Sequence, residues 1–346
     1  AITTGVQNTL IGSLAGDDLT DADVNVAVGY GALSSAVTDG ANVAVGAQAL
    51  LNANTGSATL SYNTAVGYNA GVTVTTGTIN TLIGGLAGDA ISTGNSNVAV
   101  GYLALSTDTK GDRNTAIGVS ALVTQNFTTN TDAYNTAFGY NAGAQITTGI
   151  QNTIVGGLAG DAMTTGQNNT FVGFASGSNN VTTGNSNTGI GTASLPSVTS
   201  GASNCAMGQD AGPDITEGSN NLCLGHDAGR TGSPGGQITT GSNNVVLGDE
   251  NIAAIYAQVQ TISSSDERDK TDFKDLDLGL DFVKALEPIT YYWDKRSKYG
   301  DKYDDDYDLD AQTPDGTHKE DWMDIGFKAQ AVIALEEAAG YKMSDK

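Results

Sequence analysis

Asn97-Val98-Ala99-Val100-Gly101 contains the pattern that decides the fold of this chain. Its aliphatic and small side chains alternate, as they do along a β-strand, where successive side chains point to opposite faces. Val98 and Val100 therefore share one face, and Asn97, Ala99 and Gly101 share the other. We interpret the first face as the one that buries branched side chains. The second face is slim enough for close approach of a neighbouring backbone.

The same Asn-x-x-x-Gly unit occurs fourteen times between residues 8 and 248, mostly at steps of 17 residues. Its asparagines are Asn8, Asn25, Asn42, Asn63, Asn80, Asn97, Asn114, Asn135, Asn152, Asn169, Asn187, Asn204, Asn221 and Asn244. A fixed period of this length is typical of stacked repeat architectures. The sequence therefore predicts a mainly β protein with a β-solenoid shaft, in which each coil of about 17 residues holds two short strands and two turns.

The repeat also predicts association of several chains. One coil offers only a few aliphatic side chains, and their burial does not offset the conformational entropy lost on ordering the coil. Stacking of neighbouring coils offsets part of that cost, and packing of several chains about a common axis offsets more. We therefore expect a homo-oligomeric shaft.

The composition excludes several classes of protein. The chain has 346 residues, of which 46 are glycine and only 6% are aromatic, unlike an ordinary enzyme domain with a compact apolar core. The net charge of −23 repels phosphate backbones and anionic membranes, so we expect no nucleic-acid partner. No apolar run approaches the length of a membrane span, so we expect no membrane insertion. The chain begins at Ala1 within the repeat pattern, and we expect it to be part of a longer protein.

The shaft shows no spacing of ligating residues that indicates a metal or a cofactor, and we predict neither. His226 lies in the turn after a repeat glycine, and we interpret it as an exposed turn residue, with a ligand or an axial ion as the alternative. Cys205 and Cys223 fall at different offsets in neighbouring repeats, so they should face opposite ways and form no disulfide. In four coils a tyrosine directly follows the repeat glycine. Two roles are open for these tyrosines, packing within the turn and binding of a glycan. The four tyrosines are Tyr30, Tyr68, Tyr102 and Tyr140.

After residue 250 the repeat ends, and residues 251–264 form an exit segment that leads into Ser265-Asp266-x-Arg268-x-Lys270. A serine hydroxyl is a weak nucleophile and needs a neighbouring base. A lysine serves as that base when burial or nearby positive charge lowers its pKa, and Arg268 is a source of such charge. The alternative is that these residues form only a polar linker or a helix cap.

Further along, Leu280 to Leu286 predict a helix that ends before Pro288, followed by an aromatic strand. A second helix is predicted from Ala329 to Ala339. Three features of residues 263–346 then resemble the intramolecular chaperone auto-processing domain, the S74 peptidase family of phage tailspikes and tail fibres. They are Ser265-Asp266-x-Arg268-x-Lys270, the helix Leu280-Asp281-Phe282 to Leu286-x-Pro288 with its aromatic strand, and Gly326-Phe327-Lys328-Ala329-Gln330.

That resemblance implies a domain that trimerises, guides the folding of the β-structure before it and then cuts itself off. It implies Ser265 as the nucleophile and Lys270 as the base, with Asp266 and Arg268 in support. The cleaved bond is then the one between Ser264 and Ser265. Cleavage of this kind is a single intramolecular turnover and needs no substrate pocket.

The repeats of residues 1–250 resemble the head repeats of trimeric autotransporter adhesins, which are β-rolls, and similar arrays in phage tail fibres. Together the resemblances imply a homotrimer with a shaft at 1–250, a cleavage junction at 251–264 and a small α+β chaperone domain at 265–346. They imply a virion fibre that is made in the host cytoplasm and whose partners are a host receptor or glycan and other fibre proteins. A polysaccharide-depolymerising tailspike and a bacterial trimeric surface adhesin stay open as alternatives.

Two features depart from the family pattern. The family domain usually continues into a long C-terminal helix, whereas this chain ends at Lys346. Residues 301–316 form an acidic insertion in which alternate aspartates, Asp306, Asp308 and Asp310, have a spacing suited to calcium. An EF-hand needs a glycine and a glutamate where this chain has Ala311 and Thr317. We interpret the insertion as a solvated loop.

Overall fold

The computed structural model describes residues 3–57, 60–252, 280–294, 299, 311–319 and 321–339. The chain separates into two compact units, Ala1–Tyr256 and Ala257–Lys346.

The first unit is a β-solenoid in which each coil adds one parallel strand to a single sheet. The strands of this main sheet are β1 (Thr9–Ile11), β2 (Val26–Val28), β3 (Val43–Val45), β4 (Thr64–Val66), β5 (Thr81–Ile83), β6 (Val98–Val100), β8 (Thr115–Ile117), β10 (Thr136–Phe138), β11 (Thr153–Val155), β12 (Thr170–Val172), β13 (Thr188–Ile190), β14 (Cys205–Met207), β15 (Leu222–Leu224) and β16 (Val245–Leu247). Each begins one residue after a repeat asparagine, and equivalent residues pair, as Val98 does with Thr115. The predicted solenoid of about 17-residue coils is confirmed.

Each coil contributes one strand to this sheet, so the prediction of two strands per coil is wrong. Elsewhere in the described shaft there is one pair of two-residue strands, β7 (Gly111–Asp112) and β9 (Thr131–Asp132), and one bridge between Gly40 and Leu60. The remainder of the coil turns through left-handed backbone. Around β6, for example, φ is 58° at Ser96, 58° at Leu103 and 52° at Leu105. Such corners bend the chain too sharply for a second strand.

The face with the small side chains points into the coil. We predicted that the branched side chains are the buried ones, and this prediction is wrong. Ala99 at the middle of β6 is fully buried, whereas Val98 and Val100 are only half-buried and face outward. The interior has little room at the strand because a corner residue such as Leu105 already fills it. Where the strand instead carries Leu82, the corner carries Gly88, whose missing Cβ would lie 2.7 Å from Cδ2 of Leu82.

The repeat asparagines form a hydrogen-bonded ladder inside the shaft. The backbone N–H of Asn97 donates to Oδ1 of Asn80 at 3.0 Å, and the backbone N–H of Asn114 donates to Oδ1 of Asn97 at 2.9 Å. The side-chain Nδ2 of Asn97 donates to the carbonyl oxygen of Gly111 at 2.8 Å. Buried polar groups need such partners, which explains why one amide residue recurs at this position.

The second unit contains the small α+β structure that the sequence predicted. Its described elements are α1 (Leu280–Ala285), β17 (Ile289–Tyr291), β18 (Asp324–Gly326) and α2 (Ala329–Ala338). The strands β17 and β18 pair antiparallel, with Thr290 opposite Ile325. Both predicted helices are found, and the first ends ahead of Pro288 as expected. Within the described residues, no helix has the length and apolar character needed to cross a membrane.

Candidate functional site

The predicted cleavage site lies outside the described residues. This applies to Ser264, Ser265, Asp266, Arg268 and Lys270 and to the exit segment from residue 253 onward. The serine–lysine dyad therefore stays a prediction. Asp306, Asp308 and Asp310 of the acidic loop also lie outside the described part of the chain.

The described part of the second unit exposes much apolar surface. None of the side chains of α2 is buried. A groove of about 340 Å³ runs between the end of α1, β17 and α2, and Leu286, Ile289 and Leu335 are among its lining residues. Ile325 on β18 is 79% exposed. Exposed apolar surface of this extent is typical of interaction sites.

The shaft has a second apolar surface, the outward face of its main sheet. Along this face lies the third residue of every strand, and several of these residues are large and exposed. They include Ile11, Ile83, Phe138, Ile190, Met207 and Leu247. Because the strands are parallel and in register, these side chains form one row along the outward face. An apolar row of this kind is typical of an interface between chains.

The four tyrosines that follow repeat glycines are all exposed. Phe174 occupies the same position in a later coil and is exposed in the same way, so it extends the row to five aromatic residues. Phe174 was not among the predicted residues, which were all tyrosines. The signal was present, since Phe174 directly follows Gly173.

His226 is exposed, as predicted, but it belongs to a charged cluster. Its Nδ1 lies 3.2 Å from Oδ2 of Asp227 and 3.7 Å from Oδ2 of Asp249. One ligand atom from each of Asp210, His226 and Asp227 lies within 4.8 Å of the others, a grouping that suits a metal ion. Arg230 already pairs with the buried carboxylate of Asp227 at 2.7 Å. We therefore interpret the cluster as an ion-pair network that holds the last coils together.

The two cysteines face opposite ways on neighbouring strands, as the repeat offsets predicted. Cys205 is half-buried, Cys223 is fully buried, and both are free. Burial raises the pKa of the Cys223 thiol to about 11, with the nearby Cys205 as the second cause. The Cys223 thiol therefore stays protonated at neutral pH and is a poor nucleophile.

A polar pair interrupts the aliphatic core of the shaft. Asp108 and Gln125 occupy core positions that hold residues such as Ile91 and Ile146 in other coils. The carboxylate of Asp108 accepts hydrogen bonds from Nε2 of Gln125 at 2.7 Å and from backbone N–H groups, and Oε1 of Gln125 accepts one from Asn135 at 2.8 Å. Burial raises the pKa of Asp108, and these hydrogen bonds lower it in part.

We expect the shaft to become more stable as the pH falls from 7 toward the isoelectric point of about 4.1. Burial raises the pKa of Asp89 and Asp161 as it does for Asp108, so all three bind a proton more readily in the folded shaft than in the unfolded chain. The destabilisation from burying their charges is complete above the folded pKa and is lost as the pH falls toward the unfolded value of 3.8. The thermal midpoint of unfolding should therefore rise on acidification.

Asp108→Asn is the control for this pH dependence, because an amide does not titrate in this range. The rise in midpoint on acidification from pH 7 should be smaller in this variant, whatever its stability at pH 7. A wild-type midpoint that falls over the same interval would contradict the expectation.

The comparison with known families now places the second unit. Residues 265–341 match the Peptidase_S74 family, described as the chaperone of endosialidase. With a β-solenoid before it, this match defines a fibre- or tailspike-type protein with a C-terminal chaperone domain. The match of residues 265–341 to the S74 family confirms the resemblance seen in the sequence. Searches of the curated proteins and of the solved structures found no match to the chain.

Proposed function

We propose that the chain is the distal part of a homotrimeric virion fibre that attaches to a host cell. Its C-terminal domain would assemble and fold the shaft and then release itself by cleavage between Ser264 and Ser265. The observation that carries this proposal is an S74 match that begins at Ser265, shortly after a solenoid of fourteen strands. Its partners are then a receptor or glycan on the host and the other proteins of the fibre.

Two apolar surfaces support the association of three chains. The shaft exposes the outward row of its main sheet, and the chaperone unit exposes α2 and its groove. A threefold arrangement about the fibre axis would bury this row between neighbouring chains. Association through both surfaces supplies the burial that a single coil lacks.

The proposed cleavage needs only groups of this chain and one water molecule. Lys270 as the neutral amine takes the hydroxyl proton of Ser265 while Oγ attacks the carbonyl carbon of Ser264. The bond from that carbon to the Ser265 nitrogen breaks, the nitrogen gains a proton, and an ester to Oγ forms. Water then hydrolyses this ester, which leaves a carboxylate on Ser264 and restores the hydroxyl. The lysine acts as a base only if its pKa is lowered, for which burial and Arg268 are the available causes.

Denaturing electrophoresis of the full-length product tests this proposal. The wild type should give two fragments, residues 1–264 and residues 265–346, and Ser265→Ala should stay whole. Lys270→Arg should also stay whole, because a guanidinium keeps the charge but does not act as a base. An unboiled wild-type sample should migrate near three times the mass of the 1–264 fragment, and unboiled Ser265→Ala near three times the mass of the whole chain.

Ser264→Ala is the matched control, since it changes a neighbouring serine and leaves the proposed nucleophile and base in place. It should be cleaved like the wild type. A Ser265→Ala variant that still yields both fragments would rule out Ser265 as the nucleophile. A monomeric mass for the unboiled protein would contradict the trimer.

A further inference from the structure

The shaft carries a regular row of exposed aromatic rings, which we call the aromatic row. It consists of Tyr30, Tyr68, Tyr102, Tyr140 and Phe174. Each directly follows the repeat glycine, and each side chain is between 53% and 59% exposed. Counting coils from Asn8, these residues belong to the second, fourth, sixth, eighth and tenth coils. The row therefore has a period of two coils.

The coils between these rings carry non-aromatic, mostly small residues at the same position: Ala47, Gly85, Val119 and Gly157. The small residues make space for the rings. A Cβ on Gly85 would lie 3.6 Å from Cδ2 of Tyr102, and a Cβ on Gly157 would lie 3.6 Å from Cδ2 of Phe174. Each of these rings thus lies against the preceding coil. A ring in every coil would crowd its neighbours, whereas alternate rings stay separately accessible.

The spacing of the rings fits an extended sugar chain. Neighbouring strands lie about 4.8 Å apart, so rings two coils apart lie about 9.6 Å apart, and five rings cover about 38 Å. Two consecutive units of an extended polysaccharide span about the same length as two coils. Every second sugar ring would therefore lie over an aromatic ring. One face of a sugar ring presents C–H groups, which pack well on the face of an aromatic side chain.

The charge of this region selects the type of sugar chain. Residues 25–184, which carry the row, contain six acidic and two basic residues. The two basic residues, Lys110 and Arg113, lie close together in one coil, so positive charge does not recur along the row. An anionic glycan would be repelled, and an uncharged one would not.

We propose that the aromatic row binds an extended, uncharged polysaccharide that lies along the shaft. This inference deepens the proposed host attachment and rests on it, since it names the chemistry of the cell-surface ligand. A second copy of the chain is a less suitable partner for the aromatic row, because rings that lie two coils apart leave gaps between them along the surface. The apolar row of the main sheet is the surface that suits a second copy.

Calorimetric titration of the full-length protein with cellohexaose and chitohexaose tests the proposal. Both are uncharged and extended, and each is long enough to reach three rings. We expect saturable binding of at least one of them, and no binding of maltohexaose, whose chain is curved. Tyr102→Ala should raise the Kd about tenfold, equivalent to about 1.4 kcal/mol. Tyr102→Phe should bind like the wild type, because stacking needs the ring and not the hydroxyl.

Tyr62→Ala is the matched control, since Tyr62 is exposed to the same extent but lies outside the row. It should leave the Kd unchanged. Absence of binding to both extended hexasaccharides would overturn the inference, as would equal effects of the Tyr102 and Tyr62 variants. A loss of the oligomer in Tyr102→Ala would instead assign the row to an interface between copies. Electrophoresis reports trimer formation and cleavage independently, so failure here is distinguishable from failure of the proposed assembly and self-cleavage.

Discussion

Replacement of Gly101 by alanine is expected to cost the shaft about 2–6 kcal/mol of folding free energy, the sum of backbone strain and steric overlap. Gly101 follows β6 with φ at +133°, a conformation that residues with a side chain rarely adopt. A Cβ at this position would also lie 2.5 Å from the carbonyl oxygen of Gly118 in the next coil. The strained φ and the close contact both involve backbone atoms, so no rotation of a side chain relieves them.

The damage should be local, because in a solenoid each coil contacts only its neighbours. Hydrogen exchange of the amides in β6 and β8 is therefore the right measurement, and it should accelerate at least about 30-fold, equivalent to 2 kcal/mol. Gly85→Ala is the matched control. Gly85 lacks the positive φ, and its Cβ would meet only the ring of Tyr102 at 3.6 Å. Equal exchange in the two variants would contradict the stacking argument.

The period of the sequence was enough to predict the solenoid, but not which face of the strand points inward. Alternation in Asn97 to Gly101 shows that the two faces differ, and ordinary strands bury their branched face. Here Leu105 enters the coil from a left-handed corner and takes that space. The position of such a corner depends on the backbone angles of residues like Ser96. A serine in the sequence does not predict a positive φ. The inward face was therefore decided by packing between distant positions.

The buried polar pair of the shaft could likewise not be predicted from the sequence. Asp108 and Gln125 look like surface residues in the sequence, and their burial depends on each other and on Asn135. Only the structure brings these three side chains together. The proposed dyad is the opposite case. Ser265 and Lys270 were found from a motif, and the family match supports the domain around them but does not give their geometry.

In the asparagine ladder, Asn97→Ala should destabilise its coil by about 2–6 kcal/mol. The side chain of Asn97 accepts from the backbone N–H and from Nδ2 of Asn114, and donates to the carbonyl of Gly111. Alanine removes these partners at a fully buried position. Each buried group left without a partner costs about 1–3 kcal/mol. The N–H of Asn114 and the carbonyl of Gly111 are both left unpaired.

Asn97→Asp tests whether shape or hydrogen bonding matters. The carboxylate keeps the size and the acceptor, but it loses the donor to Gly111 and places a charge in the core, so this variant should be destabilised as well. Exposed Asn126 accepts one hydrogen bond from Thr109 at 3.1 Å, and Asn126→Ala should cost at most about 0.5 kcal/mol. Hydrogen exchange in β6 and β8 measures all three variants. Protection in Asn97→Ala equal to that in Asn126→Ala would mean that the ladder does not stabilise the stack.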